Sequence, residues 1–162
     1  MTEASKKRKL GQFFTKQNYW LRPHIADFIR STNSKIAYDP FVGSGDLLSA
    51  VKPLGFSDFV GLDIDPINGW KYNDSLLNIP KIEKSIIITN PPYLTNYSAK
   101  RKKIYSSVSR YFESCHYDDI YQLAIEKSLN NDSGVMIIPE TFINSSFFTN
   151  VLVISIDTQI IK

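Results

Sequence analysis

The five-residue run Ser85-Ile86-Ile87-Ile88-Thr89 is the feature that most restricts the fold of this chain. Three consecutive isoleucines leave no polar face, so the run must be covered on both sides, as the central strands of parallel sheets are. It stops at Asn90-Pro91-Pro92-Tyr93, because two prolines cannot continue the hydrogen bonding of a sheet. The sequence therefore predicts a buried strand with a polar loop at its carboxyl end.

Other β-prone runs alternate with helical patterns along the chain. Strands are predicted at 35–39, 57–62, 85–89 and 134–138, with a last β-like run at 151–156 and a brief element before 73–75. Helices are predicted from Tyr19 to the stop signals Asn33 and Ser34, at 46–52 and at 118–129, and the polar stretch 97–109 is predicted as a loop with at most a short helix. This alternation is typical of a doubly wound α/β sheet, whose ligands bind outside the carboxyl ends of the strands.

Composition narrows the class of protein further. A chain of 162 residues with 43% hydrophobic and 22% charged residues is expected to fold as about one domain. Its one cysteine, Cys115, excludes an internal disulfide and a cysteine-rich zinc site, so we expect a reducing, cytoplasmic location. We expect neither a membrane span nor a metal site, and structural roles for His24 and His116.

The segment Asp39-Pro40-Phe41-Val42-Gly43-Ser44-Gly45 lies between a predicted strand and a predicted helix, where glycines let a ligand approach the backbone closely. The dinucleotide fingerprint fails here, because its third glycine is missing and Asp39 and Asp46 place negative charge where a pyrophosphate would lie. S-adenosylmethionine carries a sulfonium, an ammonium and no phosphate, and it suits such a loop better. A glycine turn without a ligand is the alternative.

Two later acidic positions fit a nucleoside. Asp63 follows Gly43 by 20 positions, about the separation at which an acidic residue binds a ribose in nucleotide-binding βαβ units. Its alternative is an exposed turn aspartate. Ile64 could cover the face of an adenine, and Asp74 could accept a hydrogen bond from its amino group.

The loop Asn90-Pro91-Pro92-Tyr93 gives the sharpest functional signal. An amino or amide nitrogen on a base is a poor nucleophile because its lone pair is delocalised, so acceptors must hold its N–H groups. The Asn90 side-chain oxygen and the Pro91 carbonyl can supply two. Tyr93 offers a flat face on which a flipped base can stack. The alternative is a rigid proline turn with a packed tyrosine.

Taken in order, six segments of the chain resemble the motifs of the amino-group DNA methyltransferases, specifically N6-adenine enzymes of the gamma arrangement found in restriction-modification systems. The segments are Gly11-Gln12-Phe13-Phe14-Thr15, 39–45, 61–66, 73–74, 90–93 and 134–142. The resemblance spans about residues 8–156 and implies a Rossmann-like S-adenosylmethionine-dependent methyltransferase fold. Asparagine at position 90, rather than serine, resembles the adenine enzymes more than the cytosine-N4 enzymes.

The resemblance also implies a role for each matched position. The residues expected to hold the methionine part of the cofactor are Gln12, Phe13, Phe14, Thr15, Asp39, Phe41, Gly43 and Gly45. Asp63 is expected to bind the ribose, and Ile64 and Asp74 the adenine. The residues expected to take the flipped target base and its amino group are Asn90, Pro91, Pro92 and Tyr93, with Asn90 also bordering the cofactor.

The sequence also predicts a domain organisation and leaves other functions open. Residues 1–10 are expected to form a basic tail and 11–162 the catalytic domain. Enzymes of the gamma arrangement carry a target-recognition domain after the catalytic half. We expect this chain to lack that domain and to be either a truncated gene product or one part of a split enzyme, whose complementary polypeptide would carry the domain and the remaining strands of the sheet. The basic runs 6–9 and 100–103 could contact DNA phosphates or be solvated. The open alternatives are glutamine-N5 methylation of a release factor, RNA adenine methylation, and a non-catalytic remnant.

Overall fold

A parallel sheet forms the centre of the protein in a computed structural model, which describes residues 18–65, 69–113, 115–139 and 142. The strands in chain order are β1 (Ile36–Asp39), β2 (Asp58–Asp63), β3 (Lys71–Tyr72), β4 (Ser85–Thr89) and β5 (Gly134–Met136). Their spatial order is β3-β2-β1-β4-β5, and every neighbouring pair is parallel. The predicted α/β class with a Rossmann-like sheet is confirmed.

Helices connect the strands and cover the sheet. They are α1 (Pro23–Ser31), α2 (Asp46–Ala50), α3 (Asn96–Arg101), α4 (Tyr105–Glu113) and α5 (Ile120–Ser128). Short 3-10 turns at Asn18–Trp20 and Lys52–Leu54 precede α1 and follow α2. Pro23 occupies the first turn of α1, where a missing N–H costs nothing, as its sequence position predicts.

Strand β4 is buried along its whole length, as its isoleucines predict. Ile86 and Ile88 pack with α1 and α2 in one apolar cluster, while Ile87 faces the other side of the sheet and packs with Tyr38, Leu62 and Ile79. Successive side chains of a strand point to opposite faces, so this division follows directly from the pleat. Both faces of β4 are therefore covered by apolar residues.

The prediction of a loop with at most a short helix over 97–109 is wrong, because α3 and α4 occupy most of this stretch. The Thr95 side chain accepts a hydrogen bond from the Ser98 N–H and so caps α3. Helix α4 buries Val108, Tyr111 and Phe112 at helical spacing. Serines and basic residues surround these apolar positions in the sequence, so the composition of the stretch indicates a polar loop and not a helix with a buried face.

The strand order reverses between β1 and β4, since β2 and β3 extend from one side of β1 while β4 and β5 extend from the other. The loops that follow these two strands leave the sheet in opposite directions, which opens a crevice at their carboxyl ends. The glycine loop follows β1 and the Asn-Pro-Pro-Tyr loop follows β4. The fold thus brings the two strongest sequence motifs to one crevice.

Candidate active site at the carboxyl ends of β1 and β4

A cavity of about 290 Å³ occupies this crevice. It is bordered by the glycine loop after β1, the end of β2, the turn after β3, the loop after β4 and one side of α4. The charged residues that line it are Asp39, Asp46, Asp63, Asp65, Asp74 and Arg110. Five carboxyl groups against one guanidinium make the cavity strongly acidic, which favours a ligand that carries positive charge.

Asp39 ends β1 and lies at the bottom of the cavity, only 1% exposed. Its Oδ1 accepts hydrogen bonds from the Thr89 hydroxyl at 2.6 Å and from the Phe41 N–H at 3.0 Å. The pKa of Asp39 is raised to about 7, mainly by burial and to a smaller extent by the nearby Asp63, although the hydrogen bonds from Thr89 and Phe41 lower it. This buried carboxyl group therefore changes its charge near neutral pH.

Asp63 connects β2 to the glycine loop. Its Oδ2 accepts a hydrogen bond from the Gly43 N–H at 2.8 Å, and its Oδ1 accepts one from the Asp65 N–H at 2.7 Å. Each carboxylate oxygen has two lone pairs, so the side chain keeps acceptor capacity towards the cavity that it lines. The Asp63 carboxylate thus shapes the loop and remains able to accept from a ligand.

The two glycines of the loop have different neighbours. Gly43 lines the cavity, whereas Gly45 is buried and does not. A Cβ at Gly45 would lie 2.9 Å from Cζ2 of Trp70, and the φ angle of Gly45 is +83°. The side chain that approaches Gly45 closely is therefore Trp70.

Asp74 follows β3 and lines the cavity together with Arg110 and Tyr111 of α4. Its Oδ2 accepts hydrogen bonds from Arg110 Nη2 at 2.8 Å and from the Tyr111 hydroxyl at 2.9 Å. Ile64 also lines the cavity and is 42% exposed. Both residues predicted to hold an adenine therefore border the same space as Asp39 and Asp63.

The loop after β4 also borders the cavity. Asn90 and Pro92 line it, while Pro91 is buried and does not. The Tyr93 hydroxyl lies within hydrogen-bond distance of both Asn90 Oδ1 and the Ile137 carbonyl oxygen. Burial is the main cause that raises the pKa of Tyr93, so the hydroxyl keeps its proton and remains a donor.

The ring of Tyr93 packs against other aromatic side chains. It meets the ring of Tyr121 edge-on, with centroids 6.1 Å apart, and Phe142 contacts Tyr121 in the same cluster. Tyr93 does not line the cavity. Of the four residues predicted to take the target base, Asn90 and Pro92 line the cavity, and Pro91 and Tyr93 do not.

Asp119 anchors the loop that carries the tetrapeptide. Its Oδ1 accepts hydrogen bonds from the N–H groups of Leu94 at 2.9 Å and Tyr121 at 3.3 Å. The Ile120 N–H also donates to the Leu94 carbonyl at 3.2 Å. The residue directly after Tyr93 is thereby fixed to the N-terminus of α5, where Asp119 forms a capping box with Gln122.

Several residues of the site were not predicted from the sequence, and some predicted residues lie outside the described part of the chain. Arg110, Tyr111 and Val108 line the cavity from α4, and the helical spacing of Val108 and Tyr111 is the one signal that indicates a buried face. The predicted residues Gln12, Phe13, Phe14 and Thr15 lie outside the described residues, as do the basic tail and the β-like run at 151–156.

In residues 18–65, 69–113, 115–139 and 142, no group of three or more His, Cys, Asp or Glu side chains could hold a metal ion. No helix there combines the length and the apolar character that crossing a bilayer requires.

An all-parallel sheet in this order, with a glycine loop and an Asn-Pro-Pro-Tyr loop on one acidic cavity, defines a Rossmann-like methyltransferase. The sequence model of one family, the Eco57I restriction-modification methylase, matches residues 64–157. This match covers more than half of the 162 residues, so the chain belongs to that family. Membership supports a role in DNA methylation. No curated protein sequence matches the chain.

Proposed function

We propose that the protein transfers a methyl group from S-adenosylmethionine to the N6 amino group of adenine in DNA, as the modification enzyme of a restriction-modification system. The observation that carries this proposal is the common cavity of Asp39, Asp63 and Asn90. Acidic groups suited to a cationic cofactor and an amide oxygen suited to a target amino group thus face the same space. Family membership favours DNA over the release-factor and RNA alternatives.

The residues present fit S-adenosylmethionine. The cofactor has a sulfonium and an ammonium and lacks a phosphate, and Asp39 and Asp46 place carboxyl groups in the glycine-loop end of the cavity. We propose that the Asp39 end holds the amino-acid part and that Asp63 accepts hydrogen bonds from the ribose hydroxyls. Ile64 and Asp74 then hold the adenine. Gly43 lines the cavity with its backbone, while the assignment of Gly45 to the cofactor rests on the resemblance alone.

For the chemical step, the cofactor supplies an electrophilic methyl group when bound, and its sulfur leaves as a neutral thioether. The target nitrogen attacks directly, and its surplus proton passes to solvent. Asn90 Oδ1 accepts one N–H of the target amino group, for which it has a second lone pair beside the Tyr93 contact. The Pro91 carbonyl accepts the other. Both acceptors favour a pyramidal nitrogen whose lone pair points at the methyl group.

The DNA backbone is assigned to the basic surface formed by Lys100, Arg101, Lys102 and Lys103 at and after the end of α3. Lys100, Arg101 and Lys103 are exposed. Helix α3 begins three residues after Tyr93, so these charges lie close along the chain to the catalytic loop. Contacts of this kind contribute affinity without sequence information and weaken steeply with salt.

Methyl transfer from tritiated S-adenosylmethionine to unmethylated plasmid DNA tests the proposal, with mass spectrometry of the released nucleosides. The expected product is N6-methyladenine, formed by the wild-type chain and absent with Asn90→Ala. Labelled N4-methylcytosine would contradict the adenine assignment. Transfer to a release factor and not to DNA would replace the function by glutamine methylation.

A further inference from the structure

Helix α4 brings two polar side chains, Arg110 and Tyr111, to the cavity beside Asp74. Arg110 Nη2 donates to Asp74 Oδ2 at 2.8 Å and to the Tyr111 hydroxyl oxygen at 2.7 Å. The Tyr111 hydroxyl in turn donates to Asp74 Oδ2 at 2.9 Å. The three side chains close a triangle of hydrogen bonds in which both donors converge on one oxygen of the carboxylate.

This convergence leaves the two oxygens of Asp74 unequal. Among the residues that the structure describes, none donates a hydrogen bond to Asp74 Oδ1, while Oδ2 receives two. The Asp74 side chain is 13% exposed and lines the cavity. Held through Oδ2, the carboxylate cannot rotate freely, and Oδ1 remains as a hydrogen-bond acceptor with no donor in the described protein.

Tyr111 is suited to hold the carboxylate in one orientation. Its side chain is 5% exposed, and burial is the main cause that raises its pKa, so the hydroxyl stays protonated and donates. The guanidinium of Arg110 lies over the Tyr111 ring, 4.8 Å from the centroid, and thus contacts both the ring and its hydroxyl. Ring, hydroxyl and guanidinium are therefore mutually fixed.

The triangle is not needed to attach α4 to the rest of the protein. Val108 and Phe112 from the same helix are buried in an apolar cluster with Leu76, Leu94 and residues of α5. The substitution Tyr111→Phe removes the hydroxyl and keeps an aromatic ring in that cluster. The polar contacts can consequently be tested apart from the packing of the helix.

We propose that Arg110 and Tyr111 are positioning residues that make Asp74 recognise the 6-amino group of the cofactor's adenine. The inference rests on the proposed function, which assigns the cavity to S-adenosylmethionine. An amino group donates to Asp74 Oδ1, whereas an oxo group at the same ring position presents a second acceptor and is repelled. A buried polar group built for one partner rejects the analogue that cannot pair with it.

Isothermal titration calorimetry on the full chain tests this inference with two ligands, S-adenosylhomocysteine and its 6-oxo analogue S-inosylhomocysteine. The wild type is expected to prefer the 6-amino ligand by about tenfold or more, the size of one hydrogen bond to a charged group. Tyr111→Phe and Arg110→Gln should each reduce this preference by about threefold or more, with little change for the 6-oxo ligand. Asp74→Asn should abolish or reverse it, because a carboxamide can donate to an oxo group.

Tyr105→Phe is the matched control, since Tyr105 lies on the same helix and does not line the cavity. It should keep the wild-type preference. Equal weakening of both ligands by Tyr111→Phe, together with a lower melting temperature, would assign Tyr111 a structural role only and overturn the inference. Should that variant unfold, Arg110→Gln decides the question, because Arg110 is exposed and its replacement spares the core.

The two failures are distinguishable. A wild-type chain that binds neither ligand contradicts the proposed function and the inference with it. A wild-type chain that binds both ligands equally keeps the cofactor assignment and overturns only the role given to Asp74, Arg110 and Tyr111.

Discussion

The indole ring of Trp70 occupies the space that a side chain at Gly61 would need. A Cβ at Gly61 would lie 2.6 Å from Cε3 of Trp70 and 2.8 Å from Cγ2 of Val42. Gly61 lies in β2, two residues before Asp63, and Val42 belongs to the glycine loop. The Trp70 side chain therefore packs against both β2 and the glycine loop, and residues of both line the cavity.

Gly61→Ala should accordingly destabilise the protein by about 1–3 kcal/mol, the usual cost of overpacking a filled site. Trp70→Leu alone should also destabilise it, by leaving a cavity. The double variant should lose less stability than the sum of the losses in the two single variants, because the smaller side chain at position 70 makes room for the new methyl group. Chemical denaturation of the four proteins measures this coupling, and strict additivity would contradict the contact.

Asp63→Ala should lower the affinity for S-adenosylhomocysteine by about tenfold or more, because charge-assisted hydrogen bonds are worth roughly 1.5–3 kcal/mol. The variant also removes the acceptor of the Gly43 N–H, so a disturbed loop could weaken binding by itself. Calorimetry with the 2′-deoxyribose analogue separates the two effects. The loss should be smaller for the analogue if Asp63 holds the ribose.

Asp58→Ala is the matched control for Asp63, since Asp58 begins the same strand, is exposed and does not line the cavity. Its affinity for S-adenosylhomocysteine should equal that of the wild type. Unchanged affinity in Asp63→Ala would mean that the ribose is held by other groups.

The sheet and the placement of the two loops could be predicted, because both depend on local sequence. Three isoleucines define β4, and prolines and glycines mark where strands end. The contacts made by α4 could not be predicted in this way. Asp74 and Arg110 are 36 positions apart in the sequence, and they meet only because α4 packs beside the cavity that Asp74 also lines.

Trp70 illustrates the same limit. Glycines at 43 and 45 suggest close approach of a ligand, yet the atom nearest to the missing Cβ of Gly45 belongs to an indole ring. A turn that needs positive φ and a turn that admits a ligand have the same sequence signature. Only the three-dimensional contact distinguishes them.

Asp39→Asn should stabilise the protein, and increasingly so as the pH rises. Because the pKa of Asp39 is raised from its ordinary value to about 7, the folded state binds more protons than the unfolded chain between about pH 4 and pH 7. The contribution of Asp39 to the stability of the wild type therefore decreases as the pH rises from about 4 to about 7. The asparagine can still accept from Thr89 and Phe41, and the gain above pH 7 should reach at most about 4 kcal/mol.

Thermal denaturation of wild type and Asp39→Asn from pH 4 to pH 8 measures this effect. A gain that is small near pH 4 and constant above pH 7 is expected. The same substitution should weaken binding of S-adenosylmethionine at pH 7.5, since it removes a negative charge facing a cationic ligand. A pH-independent difference in melting temperature would contradict the buried titration of Asp39.

Asn90→Ala should abolish methyl transfer to DNA while leaving the affinity for S-adenosylhomocysteine within about twofold, because the proposed partner of its amide is the acceptor nitrogen of the target base. At the neighbouring position, Tyr93→Ala should be far more damaging than Tyr93→Phe. Stacking of a base on an aromatic ring is worth about 1–3 kcal/mol, and phenylalanine keeps the ring. The loss in Tyr93→Phe reports the contacts of the hydroxyl, which include those with Asn90 Oδ1 and the Ile137 carbonyl oxygen.

Single-turnover methyl transfer at saturating DNA compares these variants, with calorimetry as the check on cofactor binding. Equal damage from both Tyr93 substitutions would assign the role of Tyr93 to its hydroxyl and not to stacking. Loss of cofactor affinity in Asn90→Ala would move Asn90 from the target side of the site to the cofactor side.

Asp119→Ala should slow methyl transfer by about tenfold or more without a comparable loss of cofactor affinity, because it frees the backbone directly after the catalytic tetrapeptide. It removes the acceptor of the Leu94 N–H and also the cap of α5, and loss of a cap alone costs about 0.5–2 kcal/mol. Asp119→Asn keeps Oδ1 as an acceptor and should restore most of the rate. Gln122→Ala, which breaks only the other half of the capping box, should lower the melting temperature and leave the rate unchanged. If Gln122→Ala slowed transfer as much as Asp119→Ala, helix capping would suffice, and the anchoring of Leu94 would have no part in catalysis.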